Sequence, residues 1–215
     1  VILSRGPDDD PEVYLALRAP ELKFFGGYWF FPGGNLNNKV DYHDENESLD
    51  LALIRCAVRE ILEEIDVLSS TLGKEFSKEE KQNLKNVLKD SPEKWQAFLA
   101  EYGTEFEAVS PVFRITTPPF IPIRFDTQFM HVRLLADEIP KIDNYELVDG
   151  RFMNPQAAID AWEKGEMEIA PPVLFLLRLL AEQGFASFVE HAQTATRELD
   201  EGRLHRVFFS PGIFF

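Results

Sequence analysis

The chain contains one cysteine and comparatively few basic residues. Cys56 can form no disulfide within the chain and falls in an apolar helical pattern, so we expect a buried thiol and a reducing, cytoplasmic setting. The 22 lysines and arginines are outnumbered by 37 aspartates and glutamates, which gives a formal charge of −15. This charge argues against a general binder of DNA, RNA or anionic membranes. A polyanionic ligand would need local basic residues or a divalent cation.

Long apolar runs are also lacking, so we expect no membrane-spanning segment. The first residues show no basic region followed by an apolar one, and the sequence therefore predicts no secretion signal. From the apolar start at Val1 and the final "VFFSPGIFF" we expect the natural protein to be longer.

The 215 residues, 45% of them hydrophobic, suffice for one core with an appended lobe. We expect a single domain over 1–215. Short aromatic and aliphatic runs at 13–17 and 28–31, and the later segments "AVSPVFRITTP", "RFDTQFMHVRLL" and "YELVDGRFM", predict strands. Helices are predicted at 49–65, with Ser48 as N-cap, and in "PQAAIDAWEKG" and "APPVLFLLRLLAEQG", the last ending at its glycine. A Lys-, Glu- and Leu-rich stretch predicts a helical insertion over about 69–103. The predicted fold class is an α+β sandwich.

Three glutamates are close together on the helix predicted at 49–65. At 3.6 residues per turn, Glu60 and Glu64 lie at one edge of its apolar side, with Glu63 next to them and Arg59 flanking. Such a cluster is either a solvated, charged face or a site for a hard divalent cation, which binds carboxylate oxygens. The spacing leaves both interpretations open.

Two short motifs favour the cation site. "FPGG" at 31–34, followed by "REILEE" at 59–64, resembles the signature of the Nudix hydrolases. Arg59, Glu60, Ile61, Glu63, Glu64 and Val67 match its second half in register. Asp66 stands where the family has glycine, and the linker between the two motifs is longer than in the signature. Leu51 occupies the place of an earlier glutamate, although Glu45 and Glu47 are near it in sequence.

The likeness extends beyond these motifs over most of 13–181. "VYLALRAPELKFFGGYWFFPGG", "IPIRFDTQFM" and the segment from "YELVDGRFM" to "LFLLRLL" resemble the branch that includes peroxisomal coenzyme A diphosphatases. That resemblance implies a Nudix-type α/β/α sandwich with a mixed sheet. The final "VFFSPGIFF" is similar to the junction at which bacterial Nudix domains precede a metallo-β-lactamase-like domain, which implies a fused C-terminal domain.

The resemblance implies Mg²⁺- or Mn²⁺-dependent hydrolysis of the diphosphate linkage in nucleoside diphosphate derivatives. The implied metal ligands are Glu60, Glu63 and Glu64. The expected catalytic residues are Arg59, which fixes a glutamate, Glu63, Glu64 and Glu146. Glu146 precedes Phe152, where relatives have Trp, and a solvated carboxylate at the end of a strand is an equally good interpretation of it.

Substrate contacts are predicted from side-chain chemistry and from the motifs. Arginine binds two phosphate oxygens at once and aromatic rings stack on bases. Arg124 also matches the "RFDT" segment of the coenzyme A branch, and the glycine pair lets the backbone approach the metal site. The predicted substrate-binding residues are Arg18, Arg124, Phe25, Phe129, Gly33 and Gly34.

Three functions stay open. Coenzyme A or acyl-CoA is the favoured substrate, and ADP-ribose, NADH or a sugar nucleotide is the alternative, since the signature sets the chemistry and the loops set the leaving group. A nucleotide-binding domain that has lost turnover is the third, because Asp66 and Leu51 depart from the signature. The helical insertion has three open roles: a cap over the cleft, a homodimer contact, or surface decoration.

Overall fold

The computed structural model describes residues 1–42, 47–101, 106–117, 124–142 and 145–200, with side chains up to 197. Three expectations fall outside these ranges: the proximity of Glu45 to the site, the end of the helical insertion near 103, and the C-terminal "VFFSPGIFF".

The described strands form one six-stranded sheet. They are β1 (Ile2–Arg5), β2 (Glu12–Arg18), β3 (Trp29–Phe30), β4 (Val109–Thr116), β5 (Asp126–Arg133) and β6 (Leu147–Met153). β1 and β5 are parallel, whereas β2 runs antiparallel to β1, β3 and β6, and β4 runs antiparallel to β5. The sheet is therefore mixed, as predicted.

Side chains alternate between the two faces of this sheet, because successive residues of a strand point in opposite directions. Ile2, Val13 and Leu15 belong to one hydrophobic core, and their neighbours Leu3 and Tyr14 belong to the other. Both faces are apolar, so each must be covered by helices.

The described helices are α1 (Leu49–Ile65), α2 (Ser69–Leu72), α3 (Lys78–Asp90), α4 (Pro92–Ala100), α5 (Pro155–Glu163) and α6 (Pro171–Asp200). Ser48 caps α1 as predicted, since its hydroxyl accepts a hydrogen bond from the Leu51 backbone N–H at 3.3 Å. Residues of α1, α3 and α4 pack in one core, and residues of α5 and α6 pack in the other. The three layers confirm the predicted α+β sandwich.

The end of α1 is bound to α3. Asp66 adopts the left-handed conformation with φ of 60°, and its N–H bonds to the carbonyl oxygens of the last turn of α1. Glycine adopts this conformation most easily and aspartate tolerates it, so Asp66 can occupy the glycine position of the Nudix signature. Lys85 forms an ion pair of 2.6 Å with the Asp66 carboxylate, and Lys81 donates to the Asp66 carbonyl at 2.9 Å.

Helix α6 bears on two expectations. Its first helical segment ends at Gly184, as predicted, because φ of 65° and ψ of 176° are not helical, and a second helical segment follows across the kink. Among the described residues, one segment, Pro171–Arg197, is long and apolar enough to cross a membrane by length and composition, which the sequence was not expected to contain. Its apolar side packs on the sheet, with Leu176, Leu177 and other residues in the core. A helix that packs in a protein core can have the same length and apolar composition as a membrane-spanning helix.

His131 on β5 is half-buried and faces α6. Its Nε2 is 2.8 Å from the hydroxyl of Ser4, and its ring lies 4.2 Å from that of Phe185. Burial, and to a lesser extent the charge of Arg133, lower the pKa of His131 to about 4. The folded chain therefore holds this side chain neutral at pH values where the unfolded chain would protonate it.

We expect the stability that depends on neutral His131 to be complete above about pH 6.5, the unfolded pKa, and to be lost as the pH falls towards 4. His131→Gln cannot be protonated, so it should lose about 2 to 3 kcal/mol less than the wild type between pH 6.5 and 4. Urea unfolding across this pH range measures the difference. His191→Gln, at an exposed position on α6, is the control. Equal acid sensitivity of the wild type and His131→Gln would refute this assignment.

Candidate functional site

A cleft of about 990 Å³ opens between α1, α3 and the loop that follows β3. Most of the predicted site residues line it: Arg18, Gly33, Gly34, Arg59, Glu60, Glu63, Glu64 and Glu146. Other polar residues, which the sequence analysis did not single out, line it as well: Asn35, Lys39, Gln82, Lys85, Lys89 and Tyr145. The glycine pair and the glutamate cluster therefore belong to one concave site.

The side chain of Arg59 holds this site together. Its Nη1 donates to Glu60 at 2.7 Å and to Glu63 at 2.9 Å, and its Nη2 donates to the carbonyl of Asn35 at 3.0 Å. Burial alone would lower the pKa of Arg59, but hydrogen bonds to Asp41 and the charge of Glu60 raise it instead. The guanidinium therefore stays charged and connects α1 to the loop opposite.

Asp41 is the strongest partner of Arg59, and the sequence analysis missed it. Its two carboxylate oxygens accept from Arg59 Nε at 2.8 Å and Nη2 at 2.9 Å, and Asp41 is fully buried. Such a two-point contact is the most specific geometry for arginine and a carboxylate. Leu51 occupies the place of an earlier glutamate of the signature, and Glu47, which is near it in sequence, pairs with Arg55. One feature of the sequence could have identified Asp41 as this partner: it is a carboxylate within the long linker between the motifs.

Glu64 and Glu60 face the glycine pair. Glu64 Oε2 accepts a hydrogen bond from the Gly33 N–H at 2.8 Å, and a β carbon added at Gly34 would lie 2.4 Å from Glu60 Oε2. The φ of Gly33 is 143°, which L side chains rarely adopt. Gly33 thus requires glycine for its backbone conformation, whereas a β carbon at Gly34 would displace the Glu60 carboxylate.

Burial strongly affects these two carboxylates. It raises the pKa of Glu64 to about 8, although the hydrogen bond from Gly33 opposes the shift. It also raises the pKa of Glu60, against the opposing charge of Arg59. Burial therefore disfavours the charged form of both carboxylates, even with Arg59 beside Glu60. Glu63 is more exposed, with 38% of its side chain accessible.

The donor atoms of the site determine whether it can hold a divalent cation. In the described part of the chain, no three His, Cys, Asp or Glu side chains are grouped closely enough to form an ion site. Glu60 and Glu64 nevertheless supply hard oxygen donors at one wall, and a cation would stabilise their charged forms, which burial disfavours by raising each pKa. The residues thus fit Mg²⁺ or Mn²⁺ in chemistry, with water or a ligand as further donors.

Arg18 and Glu146 lie together at the wall of the cleft. Arg18 Nη2 donates to Glu146 Oε2 at 3.1 Å, and the two side chains are 25% and 36% exposed. Arg18 Nε is buried and has no hydrogen-bond partner within the described ranges. A buried, unpartnered N–H at the cleft wall is suited to an anionic ligand.

Three other predicted contacts are not among the cleft-lining residues. Arg124 lies beside β4, where its Nε donates to the Thr117 carbonyl at 3.1 Å. Phe25 is 41% exposed and its ring packs on Phe24, 4.6 Å away between centroids. Phe129 is in the core of the α6 face, where its ring contacts those of Phe31 and Phe113. Core packing occupies the Phe129 ring, so it does not reach the cleft.

Comparison with solved structures identifies the fold. The chain is similar to a NUDIX hydrolase from Alicyclobacillus acidocaldarius, with a TM-score of 0.67 and 24% identity over 84% of this chain and 88% of the other. It therefore has the Nudix hydrolase fold. At this identity the likeness extends to the fold and not to a particular activity. No family model and no curated protein sequence matches the chain.

Two further structures are more distant. The NUDIX domain of Shewanella oneidensis NrtR, complexed with ADP ribose, is 14% identical over 82% of this chain and 80% of its own, with a TM-score of 0.48. A C. elegans Ap4A hydrolase is 12% identical over 82% of this chain and 88% of its own, with a TM-score of 0.44. Since both TM-scores are below 0.5, the fold comparison depends on the first structure.

We expect Asp41→Ala to lower the free energy of unfolding by about 3 kcal/mol or more, because it leaves a buried guanidinium without its main counter-charge. Glu12→Ala is the matched control, since the Arg5–Glu12 pair has the same chemistry but side chains that are 49% and 39% exposed. Its cost should be below about 1 kcal/mol. Urea unfolding measures both variants. Similar losses would show that Asp41 does not hold the site together.

Proposed function

We propose that the chain hydrolyses the diphosphate linkage of nucleoside diphosphate derivatives with Mg²⁺ or Mn²⁺. One observation carries this proposal: α1 brings the carboxylates of half-buried Glu60 and buried Glu64 against the Gly33-Gly34 turn at the wall of a cleft. Hydrolysis of a diphosphate requires a means of neutralising its oxygens and of producing a nucleophile from water. A cation-binding wall beside basic side chains meets both requirements.

Glu60, Glu63 and Glu64 are the proposed metal ligands. A bound ion would neutralise the diphosphate and lower the pKa of a coordinated water. The chain's own contribution is to orient these ligands: Arg59 holds Glu60 and Glu63, and the Gly33 N–H holds Glu64. Ligands held by such outer contacts keep their orientation when a substrate enters.

Arg18 is the proposed phosphate contact and Glu146 the proposed general base. The Arg18 guanidinium is fixed by Glu146 at 3.1 Å, which leaves its other N–H groups to meet phosphate oxygens. A carboxylate oxygen of Glu146 would take the proton of the attacking water, a role that requires hydrogen-bond distance to that water. Arg124 and Phe25 stay proposed contacts for parts of the substrate that extend beyond the cleft.

Two departures from the signature, Asp66 and Leu51, suggested lost turnover, and the structure weakens that argument. Asp41 supplies the carboxylate that Leu51 lacks, and Asp66 adopts the left-handed conformation of the glycine it replaces. Both observations support an active hydrolase over a nucleotide-binding domain without turnover. We propose a cytoplasmic location, because the one cysteine is a buried, unpaired thiol.

Coenzyme A or acyl-CoA is the favoured substrate, with ADP-ribose, NADH and sugar nucleotides as the alternatives. We expect the purified chain to split the diphosphate of at least one compound in a panel of CoA, NADH, ADP-ribose and UDP-glucose, and to do so only with Mg²⁺ or Mn²⁺. Chromatography of the two monophosphate products ranks the panel. Binding without cleavage of any compound would refute the hydrolase and support a sensor.

Glu64→Gln should lower kcat by roughly 100-fold or more, because it removes a charged metal ligand next to the reacting phosphate. It should also weaken binding of Mn²⁺, which electron paramagnetic resonance detects without any substrate. Glu79→Gln, at an exposed position in the first turn of α3, is the control and should keep both properties. If Glu64→Gln keeps wild-type turnover and Mn²⁺ binding, the proposed ligand set is wrong.

A further inference from the structure

The cleft has a basic wall in addition to its acidic one. Lys85, Lys89 and Gln82 line it from α3, and Lys39 lines it from the loop after β3. The chain carries a formal charge of −15, so three lysines along one wall give that wall a charge opposite in sign to that of the chain as a whole. The metal site described above uses none of them.

The basic wall lies on one face of α3. Residues 82, 85 and 89 are three and four positions apart, which places their side chains in one row along a helix. The opposite side of α3 packs into the core through Leu88 and, partly buried, Leu84. The direction of this row towards the cleft is therefore set by core packing.

Two buried lysines hold α3 in place. Lys85 pairs with Asp66 at 2.6 Å, and Lys81 donates to Glu138 at 2.5 Å and to the Asp66 carbonyl at 2.9 Å. The Glu138 carboxylate in turn accepts N–H bonds from residues 68, 69 and 70. Because the same residue, Asp66, ends α1, the basic wall is anchored to the helix that carries the glutamates.

Lys39 is positioned by α4. Gln96 Nε2 donates to the Lys39 carbonyl at 3.1 Å and also to the carbonyl of Tyr42, and the Lys39 N–H donates to Asn37 Oδ1 at 3.0 Å. The side chains of Lys39 and Lys89 are exposed to the cleft solvent, whereas Lys85 is buried in its ion pair. Lys39 and Lys89 are thus the residues best placed to meet an anionic ligand.

We infer that this wall binds a phosphate monoester carried by the substrate in addition to the diphosphate that is cleaved. This inference builds on the proposed function and narrows its substrate class to nucleoside diphosphate derivatives with a third phosphate. Lysine ammonium groups bind phosphate as point charges, and Gln82 adds a hydrogen-bond donor. The acidic wall would bind the diphosphate through its cation. The basic wall would bind the additional phosphate, which has no cation of its own. Among the three roles open to the helical insertion, these contacts favour the cap over the cleft, because α3 contributes residues to the cleft lining.

Binding of two small probes tests this inference without any turnover. Isothermal titration calorimetry compares adenosine 3′,5′-bisphosphate with AMP, which lacks the second phosphate, in buffer without a divalent cation. The wild type should bind the bisphosphate roughly tenfold more tightly, as expected for charge-assisted contacts to one added phosphate. Raising the salt concentration should reduce this preference, since exposed charges are screened.

The variant Lys39→Ala/Lys89→Ala should bind both probes equally. Both positions are exposed, so the fold should persist, and buried Lys85 is left unchanged for the same reason. Lys78→Ala, at an exposed position at the start of α3 and outside the cleft lining, is the matched control and should keep the preference. Equal affinity of the wild type for the two probes, no binding of either, or a preference that survives in the double variant would each overturn the inference.

The same proteins separate this inference from the proposed function. If the wild type hydrolyses a compound of the panel but binds the bisphosphate no better than AMP, the hydrolase proposal stands and the phosphate wall is wrong. If the lysine-dependent preference is found but no compound is cleaved, the phosphate wall stands and the hydrolase proposal is wrong.

Discussion

The guanidinium of Arg59 is the contact on which the site depends. It joins the buried Asp41, the Asn35 carbonyl and the carboxylates of Glu60 and Glu63, so one side chain connects α1 to the loop after β3. A buried arginine is tolerated only with compensating charge, and these carboxylates are themselves held close together only with a cation between them. The arrangement therefore stabilises both partners, and it leaves Glu64 bound to the glycine turn.

The helical segment from α2 to α4 is connected to this arrangement. Asp66 ends the glutamate helix and pairs with Lys85 of α3, and Gln96 of α4 holds the loop that contains Lys39. Its buried Trp95 and Leu99 belong to the same core as α1. The segment is thus part of the cleft. Asp66, which replaces the glycine of the signature, forms a contact between this segment and α1. A substitution in α3 that removes this contact would therefore affect the site, because Asp66 ends the helix that carries the glutamates.

Local patterns predicted most of the fold. The apolar rows of α1, its serine cap and the alternating strands follow from periods of 3.6 and 2, which are set by backbone geometry. Contacts between residues distant in sequence were harder to predict. Asp41 lies in a polar linker with no periodicity, and its pairing with Arg59 depends on how that linker folds back over α1. Phe129 and Arg124 had suitable chemistry, but the first packs in the core and the second is not among the residues that line the cleft.

The sequence by itself determined the elements, the two motifs and the clustering of the three glutamates, because each depends on residues within a few turns of one helix or one strand. Only the tertiary structure decided which carboxylate partners Arg59, that Gly34 lies against Glu60, and that lysines from α3 face the same cleft. These depend on distances between separate elements, and packing of the two cores on either side of the sheet determines those distances.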